Sequence, residues 1–102
     1  MMIQTIDFHV PELEMMKVYP KTLYYLGKIE LLKRPKISIV GTRHPINYTK
    51  IYTQELARKL SLAGVCIVSG GAQGVDALAH QATGVSNTIM VAGTGLDVRY
   101  PA

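Results

Sequence analysis

The residues of this chain that could do chemistry are few, and most of them stand beside glycine. Gly41-Thr42-Arg43 follows one apolar run, Ser69-Gly70-Gly71-Ala72-Gln73-Gly74 follows a second, and Gly93-Thr94-Gly95-Leu96-Asp97 follows a third. Glycine loses more backbone freedom on folding than any other residue, so Gly70, Gly71 and Gly74 in one turn imply a close approach to bare backbone. A phosphate or sugar is the natural occupant, because unhindered N–H groups and the planar fork of Arg43 both suit oxyanions. The competing explanation is tight turns and helix–sheet packing, which explains Gly74 alone at least as well, whereas the three loops together with Arg43 favour binding.

Other chemistry finds less support. The pattern G-x-x-x-x-G-K-[ST] is absent, and the dinucleotide fingerprint G-x-G-x-x-G fails because Ser69 stands where its first glycine would be. Asp76 and His80 lie four apart and could share a helix face, but such a pair more often serves a surface or helix-dipole contact. His9 and His44 have no ligand-like spacing with them. No nucleophile–base pair and no metal cluster is expected, hence no catalytic residue, metal or cofactor. The chain has six tyrosines and no tryptophan. Tyr48 and Tyr52 read as the buried stripe of a helix, whereas Tyr24 and Tyr100 are free to stack on bases.

The elements that must hold these loops follow from hydrophobic period. Residues 36–40 (KISIV), 65–69 (VCIVS) and 88–92 (TIMVA) read as strands, apolar at nearly every position. Such strands call for cover on both sheet faces. Between them, Tyr48, Tyr52, Leu56, Leu60 and Ala63 recur at helical spacing, with Asn47 as a candidate N-cap and Gly64 as C′. A second helix over 74–83 points Val75, Leu78, Ala79 and Ala82 inward and stops at Gly84. Strand, helix, strand, helix, strand with short connections predicts two βαβ units and a parallel sheet. Right-handed crossovers would put both helices on one face and leave the other partly bare. Ligands of open α/β sheets bind beyond the carboxyl ends of the strands, where all three glycine loops fall. Two helix N-termini should aim unpaired N–H groups at that edge. Upstream, Glu30–Lys33 suggests a short helical turn and Leu23–Leu26 a short extended or helical piece.

Hydrophobic residues make up 48% of the 102 residues and charged residues 18%, a globular composition. No apolar run reaches the roughly 18 residues of a membrane span, and the first 16 residues lack the basic, then apolar, character of a signal peptide. Cys66, the one cysteine, sits in an apolar run and is expected in the core, compatible with a cytoplasmic location. Ten of the eleven lysines and arginines fall between Lys17 and Lys59, whereas the first 16 residues carry only acids. That concentration favours a polyanionic partner and no membrane.

The blocks Ile39-Val40-Gly41-Thr42-Arg43, residues 67–80 (IVSGGAQGVDALAH) and 88–97 (TIMVAGTGLD) with Tyr100-Pro101 together resemble the DNA-processing protein DprA (Smf) family. The entry segment from Tyr19-Pro20 to Leu32 is similar too. The resemblance covers 18–102, leaving 1–17 as an N-terminal extension. It implies a partial Rossmann-like α/β domain with a βαβαβ core, cut before its second half. It also implies binding of single-stranded DNA, a homodimer in the full-length protein, and delivery of the strand to the RecA recombinase in natural transformation. The site residues it implies, joined to those of the loops, are Gly41, Thr42, Arg43, Ser69, Gly70, Gly71, Ala72, Gly74, Gly93 and Gly95. A rival function is that of a nucleotide-binding enzyme or sensor, since Rossmann-like phosphoribohydrolases carry P-G-G-x-G-T-x-x-E at the corresponding loop. Here that motif's threonine and glutamate are missing and Asp76 is the nearby carboxylate.

Overall fold

The computed structural model describes residues 3–84 and 86–92, so Gly93, Gly95, Asp97 and Tyr100-Pro101 lie outside the described residues. A short antiparallel ladder joins β1 (Gln4–Thr5) to β2 (Tyr24–Tyr25). A 3-10 turn over Ile29–Lys33 then leads into β3 (Lys36–Ser38), α1 (Asn47–Leu62), β4 (Cys66–Gly70), α2 (Val75–Thr83) and β5 (Thr88–Val91). The last three strands form one parallel sheet in the order β3-β4-β5, with Ile37 beside Ile67 and Val68 beside Ile89. This is the expected βαβαβ arrangement, with β4 at its centre.

The core sits where both helices meet the central strand. Ala57 of α1, Ile67 of β4 and Ala79 of α2 are fully buried together, with Ile39, Leu60 and Ala82 packed around them. Alanines at the crossing let two helix backbones approach one strand closely. This seam decides the phase of α1. Its buried positions are Thr53 and Ala57, whereas Tyr48 and Tyr52 are 74% and 58% exposed. The expected stripe therefore holds at Leu60, which packs on the core, and at half-buried Leu56, and fails at Tyr48, Tyr52 and Ala63, because the buried line runs about one residue round, roughly 100° on a helix of 3.6 residues per turn. Phenol rings do not fit a seam built on alanine, and the two tyrosines stack on each other outside it.

The helix ends also refine the expectations. The first intrahelical bond of α1 runs from Lys50 N–H to the Ile46 carbonyl (3.0 Å), so Ile46 is the cap residue and Asn47 already belongs to the helix. The C-terminus is a Schellman motif: Gly64 at φ +86° donates to Ser61, and Val65 donates back to Leu60 at 3.0 Å.

Alternation from Ile67 puts Cys66, Val68, Ile89 and Val91 on the face away from the helices. Cover there is uneven. Cys66 is fully buried, and burial pushes its thiol pKa up despite the opposing influence of Arg34 and Lys36. Val40 and Val91, toward the carboxyl ends of the strands, are 69% and 62% exposed. The expectation of cover on both faces thus fails at that end among the described residues. The N-terminal segment is tied in by an ion pair between Glu12 and Lys36, whose ammonium also donates to the Leu32 carbonyl at 2.6 Å. That pairing holds the Glu12 carboxyl below its ordinary pKa.

At the amino-terminal end of the sheet, buried Asn87 acts as a hub. Its carbonyl oxygen accepts from Arg34 at 2.9 Å. Its amide donates to the Val65 carbonyl at 2.9 Å, the Ser61 hydroxyl at 3.0 Å and the Ser61 carbonyl at 3.3 Å. One side chain thereby joins the approaches to β3, β4 and β5.

Candidate functional site

At the other end of the sheet, two glycine loops meet. β3 continues its pairing for one residue, with Ile39 N–H donating to Val68 at 3.0 Å. The Ser69 hydroxyl then donates to the Ile39 carbonyl. Ser69 is buried and faces into the fold, closing the ends of β3 and β4 together. Beyond it the chain 41–43 swings across the start of α2, where the Thr42 carbonyl accepts from Val75 N–H at 3.1 Å. The Thr42 hydroxyl accepts from His44 N–H at 3.1 Å and tightens the turn that carries Arg43.

The glycines are explained by this crossing. Gly74 adopts φ +79°, ψ −128°, and a methyl group on it would lie 2.3 Å from the Thr42 oxygen and 2.7 Å from backbone carbon atoms of Arg43. At Gly41 a side chain would press on Val75 at 3.0 Å, and at Gly70 on the Asp76 carboxylate at 2.8 Å. The glycines at 41, 70 and 74 therefore let two loops and a helix start share one small volume. Gly71 and Ala72 follow at the half-buried turn into Gly74.

Two titratable groups brace the crossing. Asp76, in the first turn of α2 and only 6% exposed, accepts from Gly41 N–H at a long 3.4 Å. His80 donates through Nε2 to the Gly70 carbonyl at 2.9 Å, since a carbonyl can only accept. Its Nδ1 meets the Thr88 hydroxyl on β5. The two side chains thus hold different strands rather than each other. Among the described residues no group of three or more His, Cys, Asp or Glu side chains could hold a metal ion.

The electrostatics separate the two helix starts, which the sequence treats alike. The start of α2 is occupied by the Thr42 carbonyl and carries Asp76. The first turn of α1 has no acidic residue and no side-chain cap. It follows directly on Gly41, Thr42, Arg43 and His44, all exposed. Arg43 makes no ion pair among the described residues. The positive end of α1 and the Arg43 fork are therefore the strongest anion-attracting features at this edge. They form an open ledge. Two grooves lie elsewhere, one between the outer faces of α1 and α2, the other between residues 8–12 and 32–36.

Sequence reasoning missed the burial of Asp76, the hub role of Asn87 and the exposure of the two tyrosines. Placing Ala57, the one alanine of α1, inward would have shown the last of these.

Among known proteins, the chain is similar to Protein Smf of Synechocystis sp., at 42% identity over 88 residues, covering 80% of this chain and 22% of that protein. It is 42% identical over 84 residues to DNA processing protein DprA of Streptococcus pneumoniae, covering 80% and 29%. Protein Smf of Escherichia coli is 31% identical over 97 residues, covering 93% and 26%. The chain thus spans 22% to 29% of the length of these relatives. Of solved structures, DNA processing protein A from Helicobacter pylori, described for its single-stranded DNA binding mode, superposes with a TM-score of 0.93. Its identity is 41%, covering 97% of this chain and 46% of that one. The Streptococcus pneumoniae DprA structure gives a TM-score of 0.72 at 41% identity, covering 81% and 30%. With the family model of DNA recombination-mediator protein A matching residues 2–102, and with a parallel α/β sheet shared with these structures, the chain belongs to the DprA/Smf family of DNA-processing proteins.

Proposed function

We propose that this chain binds single-stranded DNA on the ledge formed by Gly41, Thr42, Arg43 and the start of α1, with the loop from Gly70 to Gly74 beside it and buried Ser69 supporting it from below, as a part of a DNA-processing protein that protects the strand and passes it to the RecA recombinase. The observation that carries the reading is Arg43: exposed, without an ion pair among the described residues, and set just before a helix start that holds no acid. The relative from Helicobacter pylori, described for its single-stranded DNA binding mode, supports the choice of ligand. An open ledge suits a polymer running across it better than an enclosed mononucleotide. Gly93 and Gly95, which follow β5 in sequence and lie outside the described residues, belong to the same proposed site. Residues 18–102 are the binding unit in this reading, with 1–17 as its extension, in a cytoplasmic protein that forms homodimers at full length.

Binding without hydrolysis is part of the proposal. Asp76 and His80, the groups a phosphoribohydrolase-like enzyme or nucleotide sensor would draw on, are engaged with Gly41, Gly70 and Thr88. Fluorescence anisotropy with labelled oligo-dT should show saturable binding that thymidine monophosphate does not displace at equal nucleotide concentration. Incubation with nucleoside monophosphates should release no free base. Base release that disappears in Asp76→Asn would replace this reading with the enzyme, and displacement by mononucleotides would replace it with the sensor.

A further inference from the structure

We propose that Tyr48 and Tyr52 form a base-stacking platform that carries the strand from Arg43 along the first two turns of α1. The proposal rests on the single-stranded DNA reading and adds a second kind of contact to it. The two rings lie 6.3 Å apart between centroids and within 16° of parallel. They are 74% and 58% exposed, a large aromatic surface that the core does not use. Residues at i and i+4 share a helix face, so the rings stand one above the other along α1 and give a strand a continuous row to follow.

Position ties the platform to the ledge. Tyr48 lies in the first turn of α1, five residues after Arg43, at the helix end with the positive partial charge. Lys50, two residues from each tyrosine, lies on another face of the helix, and Glu55 and Lys59 follow Tyr52 along its own face, so the charge beside Tyr48 comes from the helix start and Arg43. Tyr48 and Tyr52 themselves lie inside the segment that holds ten of the eleven lysines and arginines. Charge therefore selects among occupants: exposed Ile46 and Ile51 nearby would suit a second copy of the chain, but a helix start without an acid, beside an arginine that makes no ion pair among the described residues, suits a polyanion with apolar bases. Stacking on a phenol ring reads no sequence, since every base offers a π-face. The ledge would hold phosphates and the tyrosines bases, two contacts that different probes can separate.

The test uses the 102-residue chain with two oligonucleotides of equal length, oligo-dT and an all-abasic strand that keeps the phosphates and loses the bases. The wild type should bind oligo-dT more tightly than the abasic strand. Tyr48→Leu with Tyr52→Leu keeps apolar bulk and removes the aromatic faces. It should weaken oligo-dT binding by about tenfold or more, the size expected of base–aromatic stacking, and leave the abasic strand within about twofold. Tyr48→Phe with Tyr52→Phe should restore the difference, which a merely misfolded leucine variant could not explain. Equal weakening on both strands, or none on either, overturns the platform while the DNA reading stands. Leucine variants that abolish self-association in sedimentation, with oligo-dT binding intact, make the face a contact between copies and also overturn it. A wild type that binds neither strand overturns the DNA reading itself.

Discussion

Gly74→Ala is expected to melt far below the parent protein. Its backbone at φ +79°, ψ −128° is a conformation that residues with a Cβ rarely adopt, and forcing one there costs on the order of 1–3 kcal/mol. The added methyl would also sit 2.3 Å from the Thr42 oxygen and 2.7 Å from Arg43 backbone atoms. Those atoms cannot swing away as a side-chain tip would. They must move as backbone, and the Val75-to-Thr42 hydrogen bond goes with them, a further loss of about 1 kcal/mol. A total of roughly 2–4 kcal/mol is a large part of the ~5–15 kcal/mol that stabilises an ordinary domain. Thermal unfolding should shift down by on the order of 15 °C or more. Gly64→Ala is the comparison: φ is +86° there too, but nothing lies within 4 Å of the added group, so only a conformational cost of about 1–2 kcal/mol applies. If the two variants melt within a few degrees of each other, the crossing of the loops is not what demands glycine at 74.

Arg43→Ala should weaken binding of single-stranded DNA by about 1–3 kcal/mol, the range for a hydrogen bond to a charged group. The loss should be similar for different base sequences, because phosphate contacts position a strand without reading it. Arg43→Lys keeps the charge but loses the planar fork, so it should fall between alanine and the parent. Salt dependence gives a second measurement. Losing one phosphate contact should make the log–log slope shallower by about 0.7 for a single strand. Arg58→Ala removes the same charge from an exposed position farther along α1. Equal losses from both substitutions in anisotropy titrations would assign binding to the basic surface as a whole and not to the ledge.

The fold was legible because its information is local. Apolar runs at 36–40, 65–69 and 88–92, with Gly64 and Gly84 closing the helices, place every element of the parallel sheet. Gly74 was legible as an anomaly but not as a mechanism. That its Cβ would strike Thr42 and Arg43 depends on two segments some thirty residues apart arriving at one point. Period alone could not set the phase of α1, because two adjacent stripes are both acceptable: one through Tyr48 and Tyr52, the other through Thr53 and Ala57. The choice is made by tertiary packing, which buries Ala57 together with Ala79 of α2 and Ile67 of β4. Asp76 is a similar case. Its place in the first helical turn suggests a dipole contact, and only the arrival of Gly41 turns it into a buried brace between strands.

The hub at Asn87 gives the two ends of the sheet different resistance to opening. At its own end, four hydrogen bonds of one buried amide link Arg34, Ser61 and Val65, so the starts of β3, β4 and β5 and the end of α1 are tied to a single side chain. At the ledge, the Gly41 contact to Asp76 is long, and Val40 and Val91 lie largely in water. Amide hydrogen exchange should therefore be graded along each strand, slow near Cys66 and Ile67 and fast near Gly41. Fraying then begins where a ligand would land. If the proposed function holds, the loops adjust to a flexible strand while the far end stays zipped, and a bound strand would register as slowed exchange confined to one edge of the sheet.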